Sequence, residues 1–291
     1  MKKVGIVLLI VILIIFVIAL CKILMFSIQN EDWNWFMGFG DFSDLRKEEH
    51  IQKEQKIAIT DIKNINLQFR SSDLNVFFTE DEEIRVIQYA YKDLKENQLF
   101  QVNNTYSNVT ISEDKTPGFH LFYFGFMDRK VYDVYIPKSY KESLEIESVS
   151  GDVEVTESLE FDKLIISSTS GDIKMGDMKA NSIQIESISG DIKLQDLEND
   201  NLKLKTISGD IEVESAKGKI EAKTTSGTIE IREINGKVEL ASISGDVKSD
   251  DFKVMGNSKV KTTSGNVKMY LNKESNCEIR NKKCIWKCNT S

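Results

Sequence analysis

The chain has 291 residues, 29% of them charged and 41% hydrophobic, which is ordinary for a folded protein and excludes a wholly disordered one. Its net charge of -8 argues against nucleic acid as a partner, because phosphate contacts need clustered Lys and Arg. The only two histidines, His50 and His120, offer few ways to build a histidine-dependent catalytic or metal site. We therefore expect no cofactor and no metal.

The N-terminal segment predicts a transmembrane helix. Residues 1–3 include two lysines and precede an almost uninterrupted apolar run over residues 4–26, which as a helix would span about 34 Å and cross a bilayer. A signal peptide would have a shorter apolar region and a cleavage site with small residues, and a lipoprotein would need a small residue in place of Leu20 before Cys21. The flanking charges place residues 1–3 in the cytoplasm and the remainder outside it.

Residues 27–55 form a juxtamembrane aromatic segment and linker. Trp33, Trp35 and Phe36 follow the apolar run closely, and aromatic side chains prefer the interface between membrane and water. We expect these three side chains to lie on the lipid surface, and a contact with a protein partner is the alternative.

A repeat organises residues 141–271. A Ser-Gly dipeptide recurs at spacings of 20, 19, 19, 18, 18 and 20 residues, and a fixed period of this length is typical of repeat architectures. Apolar residues stand six and four positions before nearly every serine, and Ser or Thr stands two before it, so the period is two, as in a strand with one buried face. The seven serines are Ser150, Ser170, Ser189, Ser208, Ser226, Ser244 and Ser264.

A second strand begins directly after each Ser-Gly dipeptide. Most residues three and five positions beyond the serine are apolar, so the inward positions change from even to odd offsets and the chain must turn a corner. Glycine accepts positive φ at such a corner, and Asp can hydrogen-bond the local backbone. The predicted turn residues are Gly151, Asp152, Gly171, Asp172, Gly190, Asp191, Gly209, Asp210, Gly227, Gly245, Asp246 and Gly265.

These patterns predict an all-β protein: a parallel β-solenoid of about seven rungs of 18–20 residues, with a β-rich N-terminal cap, preceded by one transmembrane helix. A single unit cannot bury its apolar face alone, whereas stacked copies can. Each linking segment carries one more apolar residue, which indicates a third, shorter inward side. Charged residues four positions after each serine should form ion pairs between neighbouring rungs.

Residues 56–140 are predicted to form the β-rich, more sandwich-like cap. Within them, Ile65–Val76 is a degenerate copy of the repeat in which Ser71 takes the place of the corner serine. The aromatic stretch 118–126 should pack against the cap, and a membrane or partner contact is the alternative. Residues 272–291 are predicted to cover the last rung, because an open solenoid end exposes sheet edges.

Cysteine usage outside the predicted helix is confined to Cys277, Cys284 and Cys288. Outside the cell, one disulfide among these three is expected, and the pairing stays open. A metal site is less favoured, because the cluster offers no fourth ligand.

Two kinds of chemistry are considered and disfavoured. The column of corner aspartates suggests cation binding, but β-roll calcium repeats have several glycines in a shorter unit, so turn capping is favoured. A polysaccharide-active β-helix enzyme would need an irregular cleft. The ladder departs from its pattern at Thr228, Ser249, Ser258 and Asn266, and these residues make no acid–base set.

The run VYDVYIPKSYKESLEIESVSGDVEV, residues 131–155, and the recurring Ser-Gly-Asp corners resemble the bacterial putative-adhesin domain family, which includes LiaG-like membrane-anchored envelope proteins. The resemblance covers about residues 56–270. It implies an anchored extracytoplasmic β domain on a bacterial cell membrane and, in the LiaG-like case, a link to the cell-envelope stress response. The family brings no catalytic residues.

Two functional hypotheses follow. The first is a non-catalytic, adhesin-like surface or envelope scaffold. The second is a regulatory membrane protein of the envelope stress response that acts through its helix and aromatic segment. Expected partners are membrane lipid at the N-terminal helix, an envelope or surface protein or polysaccharide, and a second copy of the chain.

Overall fold

A computed structural model describes residues 50–113, 130–156 and 159–273, together with the backbone of residues 285–288. The predicted transmembrane helix, the aromatic residues Trp33, Trp35 and Phe36, the stretch 118–126 and the side chains of the three C-terminal cysteines lie outside these residues. Within the described ranges, no helix is long and apolar enough to cross a membrane.

The described residues are almost entirely β-strand, with one turn of 3₁₀ helix at Glu96–Gln98. The N-terminal strands are β1 (His50–Ala58), β2 (Asn64–Phe69), β3 (Ser72–Thr79), β4 (Glu83–Ala90), β5 (Gln101–Thr105), β6 (Asn108–Ser112) and β7 (Lys130–Pro137). The strands of the repeat are β8 (Ser143–Ser150), β9 (Val153–Val155), β10 (Leu159–Ser170), β11 (Ile173–Met175), β12 (Met178–Ser189), β13 (Ile192–Lys205), β14 (Ile211–Ser226), β15 (Ile229–Ser244), β16 (Val247–Val254), β17 (Lys259–Ser264) and β18 (Val267–Leu271), and β19 (Ile285–Cys288) follows them.

The repeat forms a parallel β-solenoid of about seven turns, as its period predicts. Strands pair with their equivalents in the next copy, in register on the corner serine: Ser170 lies opposite Ser189, and Ile192 opposite Ile211. In β14 and β15 the pairing runs without a break from one corner to the next, so the predicted third side is continuous with the other two.

Stacked columns of aliphatic side chains fill the interior. Each inward position contributes one residue per rung, and Ile192, Ile211 and Ile229 are fully buried in one such column. Burial of an aliphatic side chain of this size contributes about 1.5–3 kcal/mol, so the columns are the main source of stability. The Ser or Thr two positions before the corner serine is also buried in the first six repeats, and the hydroxyls of Ser242 and Thr262 donate to glycine carbonyls of the preceding rung.

The repeat becomes one residue shorter within the solenoid, and a β-bulge at one corner of the third side accommodates the difference. The spacing falls from 19 to 18 residues between Ser208 and Ser226, and the pairing register shifts between Glu198 and Asn201. A β-bulge, with one extra residue on one strand, accounts for the shift. Facing it, Gly218 has φ +114, and a Cβ there would lie 1.8 Å from the carbonyl oxygen of Asn199.

The parallel stack continues beyond the first repeat toward the N-terminus. Strands β2 and β3 form a rung on β8 and β9, with Ile65 opposite Leu144 and Leu74 opposite Val153, which confirms the alignment on Ser71. One further layer follows, in which β6 pairs with β2 and β7 with β3. Antiparallel pairing among these N-terminal strands joins β4 to both β1 and β7, and β5 to β6.

At the other end, β19 adds one parallel strand to the last rung. Its residues Ile285–Cys288 pair with Lys268–Leu271 of β18. Part of the predicted C-terminal segment therefore covers one side of that rung.

Candidate functional surface

The corner glycines have a conformation and an environment that exclude a side chain. Their φ values lie between +115 and +159, a region that other residues rarely adopt. A Cβ at Gly190 would lie 2.1 Å from the carbonyl oxygen of Gly171 in the preceding rung, and the other six corner glycines have the same kind of contact. Glycine is needed here for backbone conformation and for the close approach of successive rungs.

The corner aspartates hydrogen-bond from rung to rung. Oδ1 of Asp172 accepts the backbone N–H of Asp191, and Oδ1 of Asp191 accepts that of Asp210, both at 2.9 Å. From the sequence we expected a bond within each turn; the stacking of identical corners instead brings the N–H of the next rung to the carboxylate. Among the described residues, no group of three His, Cys, Asp or Glu side chains could hold a metal ion.

The N-terminal end of this corner column is closed by a buried carboxylate, that of Glu113. The layer formed by β6 and β7 has no Gly-Asp corner. Instead, Oε2 of Glu113 accepts the backbone N–H groups of Arg70 and Ser71 at 2.9 and 3.3 Å. Its Oε1 accepts the Ser72 hydroxyl at 3.0 Å and lies 2.7 Å from Nζ of Lys130. The Glu113 side chain is 4% exposed, so these four donors replace its lost hydration.

The ionised form of Glu113 is favoured despite its burial. Desolvation alone raises the pKa of this carboxyl, but the hydrogen bond and charge of Lys130 and the N–H groups of Arg70 and Ser71 outweigh it. The pKa of Glu113 therefore lies below its ordinary value. The group is a structural anion that holds the first corner of the stack.

An exposed column of β-branched side chains runs along the outer surface next to the corners. The residue directly before each corner serine is Val, Thr or Ile, and all seven are exposed. The aliphatic members Val149, Ile188, Ile207 and Ile243 are 51%, 50%, 47% and 55% exposed. We call the outward side chains one, three and five positions before each serine the pre-corner face. The column nearest the corners consists of Val149, Thr169, Ile188, Ile207, Thr225, Ile243 and Thr263.

Charge is distributed unequally along the pre-corner face. Three positions before the serine, the column has Glu147 and Glu186 in the first three rungs and Lys205, Lys223 and Lys261 in the last four. A groove of about 410 Å³ lies on the first four rungs between this column and the β-branched one. The middle column of the face thus has an acidic half and a basic half, and the column nearest the corners gives the face an apolar edge.

Charged side chains on the outward surface beyond the corners also pair within the chain. Lys193 lies 3.9 Å from Glu212 on the next rung, Lys248 lies 3.9 Å from Glu230, and Arg232 lies 3.1 Å from Glu214. The prediction of ion pairs between neighbouring rungs is confirmed for the first two pairs. Exposed pairs of this kind contribute at most about 1 kcal/mol each.

Sequence reasoning missed Glu113 and the β-branched column. Asn108–Ser112 alternates like a repeat strand, which puts Glu113 on an inward position where the repeats have Ser or Thr. An acidic residue on an inward position was the available signal. The signal for the β-branched column was the Val, Thr or Ile directly before each of the seven serines.

A family model described as Toastrack DUF4097 matches residues 62–234 and 221–283. The chain belongs to this family. The match spans the two N-terminal layers and all seven repeats of this Toastrack protein, and it agrees with the resemblance to the putative-adhesin domain family. No curated protein matches the chain.

Solved structures with a similar course of the chain come from several bacteria. A putative adhesin from Bacteroides fragilis has 14% sequence identity and a TM-score of 0.46, and the alignment covers 76% of this Toastrack chain and 96% of the other. A putative cell adhesion protein from Clostridium sporogenes has 11% identity and a TM-score of 0.41, covering 76% and 99%. A putative lipid binding protein from Parabacteroides distasonis has 16% identity and a TM-score of 0.45, covering 75% and 96%.

Proposed function

We propose that this Toastrack protein is a non-catalytic, adhesin-like scaffold that is anchored in a bacterial cell membrane by residues 4–26 and binds a protein partner outside the cytoplasm through the pre-corner face. The observation that carries the proposal is the exposed column of seven β-branched residues. Contiguous exposed apolar surface on a folded protein marks an interaction site more often than a solvated face.

The chemistry of the face favours a protein over the other expected partners. An anionic membrane surface attracts clustered Lys and Arg, but Glu147 and Glu186 in the acidic half would oppose it. Apolar side chains flanked by charges of both signs are the usual make-up of a protein–protein interface, with its apolar centre and polar rim.

The corner residues support a scaffold rather than an enzyme. Gly190 and its equivalents are packed against backbone, and Asp172, Asp191 and Asp210 each use one carboxylate oxygen to accept a backbone N–H of the next rung. A side chain engaged in this way holds the rungs together and is poorly placed to act on a substrate. We therefore assign the corners to structure and the pre-corner face to recognition.

Site-specific photo-crosslinking in intact cells tests this assignment. A photoreactive amino acid is placed in the full-length chain at Thr169 or Thr225 on the pre-corner face and, as matched controls, at Lys174 or Glu230 on the outward column beyond the corners. We expect discrete protein adducts from the first two positions and few from the controls. Adducts of equal yield from all four positions, or from none, would overturn the role of the face.

The membrane anchor is tested separately. Deletion of residues 4–26 should move the chain from the membrane fraction to a soluble fraction, and a C-terminal tag on the intact chain should be labelled by an impermeant reagent on whole cells. Retention in the membrane after the deletion would contradict the anchor. Exchange of the helix for an unrelated one should leave the adducts unchanged, whereas their loss with surface display intact would favour the regulatory alternative.

A further inference from the structure

The pre-corner face is complementary to itself. Resting on the proposed role of this face in recognition, we infer that its partner is a second copy of the chain, bound face to face about a two-fold axis that runs parallel to the strands of the fourth rung, at Lys205 and Ile207. The argument uses the order of charges along the solenoid, the apolar column and the size of the face.

Two orientations of a two-fold axis bring this face against its own copy. An axis parallel to the strands reverses the order of the rungs and keeps each column against the same column. An axis parallel to the solenoid keeps the order of the rungs, so the central column meets itself residue by residue. Both interfaces would be isologous, with the same patch on both partners.

The charges select the first orientation. With the rungs reversed about the fourth, Glu147 of one copy faces Lys261 of the other, and Glu186 faces Lys223, and each pair occurs twice by symmetry. One column further from the corner, Glu145 likewise faces Lys259. With the rungs in the same order, the charges of the central column, Glu147, Glu186, Lys223 and Lys261, would each face their own equivalent, which is unfavourable because like charges repel across an interface.

The apolar column matches itself in the same arrangement. Ile207 meets Ile207 at the axis. On either side, aliphatic side chains meet threonines, whose methyl groups complete the contact: Val149 with Thr263, Thr169 with Ile243, and Ile188 with Thr225. All seven positions would lose exposed apolar surface at once, which is the main favourable contribution to association.

The face is large enough for a stable pair. Strands about 4.8 Å apart and a rise of about 3.3 Å per residue make seven rungs by six residues about 34 Å by about 20 Å. Two copies would together bury about 1,400 Å², within the range of about 1,200–2,000 Å² that specific interfaces bury.

Three features oppose association, and each is small. In the column furthest from the corners, Glu239 of one copy faces Ile165 of the other, at the edge of the face where the carboxylate can reach water. Glu186 already lies 2.7 Å from Lys203, and Lys223 lies 2.6 Å from Glu221, but pairs this exposed are weak and can share a new partner. Lys203 and Lys205 approach their own copies at the axis. Lysine can extend its ammonium group along the surface into water, so this contact need not bury a charge.

The pair has a consequence for the anchored protein. Because the rungs are reversed, strands β1–β7 of the two copies lie at opposite ends of the pair. His50, the first residue that the structure describes, then lies far from His50 of the other copy.

Crosslinking between variants that each carry one added cysteine tests the arrangement in the full chain in detergent micelles. Val149→Cys mixed with Thr263→Cys should give a dimer with a short bismaleimide, and Ile207→Cys should crosslink with itself. Val149→Cys alone and Thr263→Cys alone should give no more dimer than the parent chain with its native cysteines, because each lies far from its own equivalent. Dimers from Val149→Cys alone and from Thr263→Cys alone, with no mixed dimer from the two together, would overturn the reversed order.

A charge exchange gives an independent test by sedimentation. Glu147→Lys and Lys261→Glu should each weaken dimerisation about tenfold, since each affects two symmetric pairs. The double variant should regain the parent affinity, because the exchanged charges face each other again. Glu154→Lys, beyond the corner, is the control and should change nothing.

The same measurement separates this inference from the proposed function. A parent chain that stays monomeric at about 100 μM would bind itself too weakly for a specific pair, and this would overturn self-association. The proposed function would stand if positions 169 and 225 still gave adducts with a different protein in cells. Adducts with the chain itself, together with dimers in micelles, support both.

Discussion

The repeats and the N-terminal end hold the same corner in different ways. In the repeats, Gly190 and its equivalents let the rungs approach, and Asp191 binds the N–H of the next rung. In the layer formed by β6 and β7, the buried ion pair of Glu113 and Lys130 takes the place of the Gly-Asp corner. Within the repeats, a backbone N–H group at each corner is hydrogen-bonded by an identical neighbouring copy. At the N-terminal end of the stack, a residue that occurs only once must accept these N–H groups. Substitutions in the two regions should therefore differ in their effects.

The largest effect is expected for Gly190→Ala. A Cβ there would lie 2.1 Å from a backbone carbonyl oxygen of the preceding rung, at φ +133, so neither side can relax without separating two rungs. We expect a loss of about 4 kcal/mol or more in the free energy of unfolding, the range for backbone strain combined with overpacking. Hydrogen exchange of the full chain should show the loss first in β11 to β13.

Gly256→Ala is the matched control for this prediction. Gly256 also has positive φ, at +77, but a Cβ there would meet no atom within 4 Å. Only the conformational cost of about 1 kcal/mol should remain. Equal losses for the two variants would show that positive φ alone, and not the approach of the rungs, requires glycine at the corner.

Inward positions made the fold predictable from sequence. Ile65, Leu67 and Leu74 keep the spacing of the repeat although Ser72 stands in place of glycine, so the degenerate copy could be aligned from its sequence. Its pairing with β8 and β9 is a finding of the structure. The layer formed by β6 and β7 could not be foreseen, because its two halves are separated by residues 113–129 and no corner motif joins them. Contacts of this kind depend on pairing between distant segments, which leaves no local pattern.

The pre-corner face was harder to recognise for a different reason. A single exposed Ile207 or Val149 is ordinary on a folded surface and carries no signal by itself. The signal is the column, and a column exists only after the copies have been stacked in register. The charge order from Glu147 to Lys261 likewise has meaning only along the solenoid axis.

Glu113→Gln should have the second largest effect. The amide keeps an oxygen acceptor but loses the charge that Lys130 and two N–H groups bind, and it leaves a lysine ammonium without its buried anion. Breaking a buried pair costs about 3 kcal/mol or more in the free energy of unfolding. Urea unfolding followed by circular dichroism measures it.

An exposed ion pair of the same chemistry serves as control. Glu80 lies 3.0 Å from Lys138, and its side chain is 85% exposed. Glu80→Gln should change the free energy of unfolding by less than about 0.5 kcal/mol. If the two variants were equally stable, the N-terminal corner would not depend on its carboxylate.

The contribution of Glu113 should also depend on pH. Because the pKa of Glu113 in the folded chain lies below its ordinary value of 4.5, the unfolded chain takes up a proton first as the pH falls. The contribution is therefore complete above about pH 4.5 and declines as the pH falls below it through the folded pKa. The difference in stability between the parent chain and Glu113→Gln should shrink between pH 5 and pH 3, and a constant difference over that interval would contradict the linkage.

The smallest effect is expected in the aspartate column. Asp191→Ala removes the acceptor of the Asp210 N–H, at 2.9 Å, and should cost about 1 kcal/mol, the usual net value of one hydrogen bond. Asp191→Asn keeps an acceptor oxygen and lowers the repulsion among stacked carboxylates, so its stability should equal or exceed that of the parent. Urea unfolding at low and high salt separates the two contributions: screening should raise the stability of the parent and leave Asp191→Asn less affected. An Asp191→Ala variant as stable as the parent would show that the stacked glycines alone hold the corner. The corner aspartates would then contribute far less to the free energy of unfolding than Glu113 does.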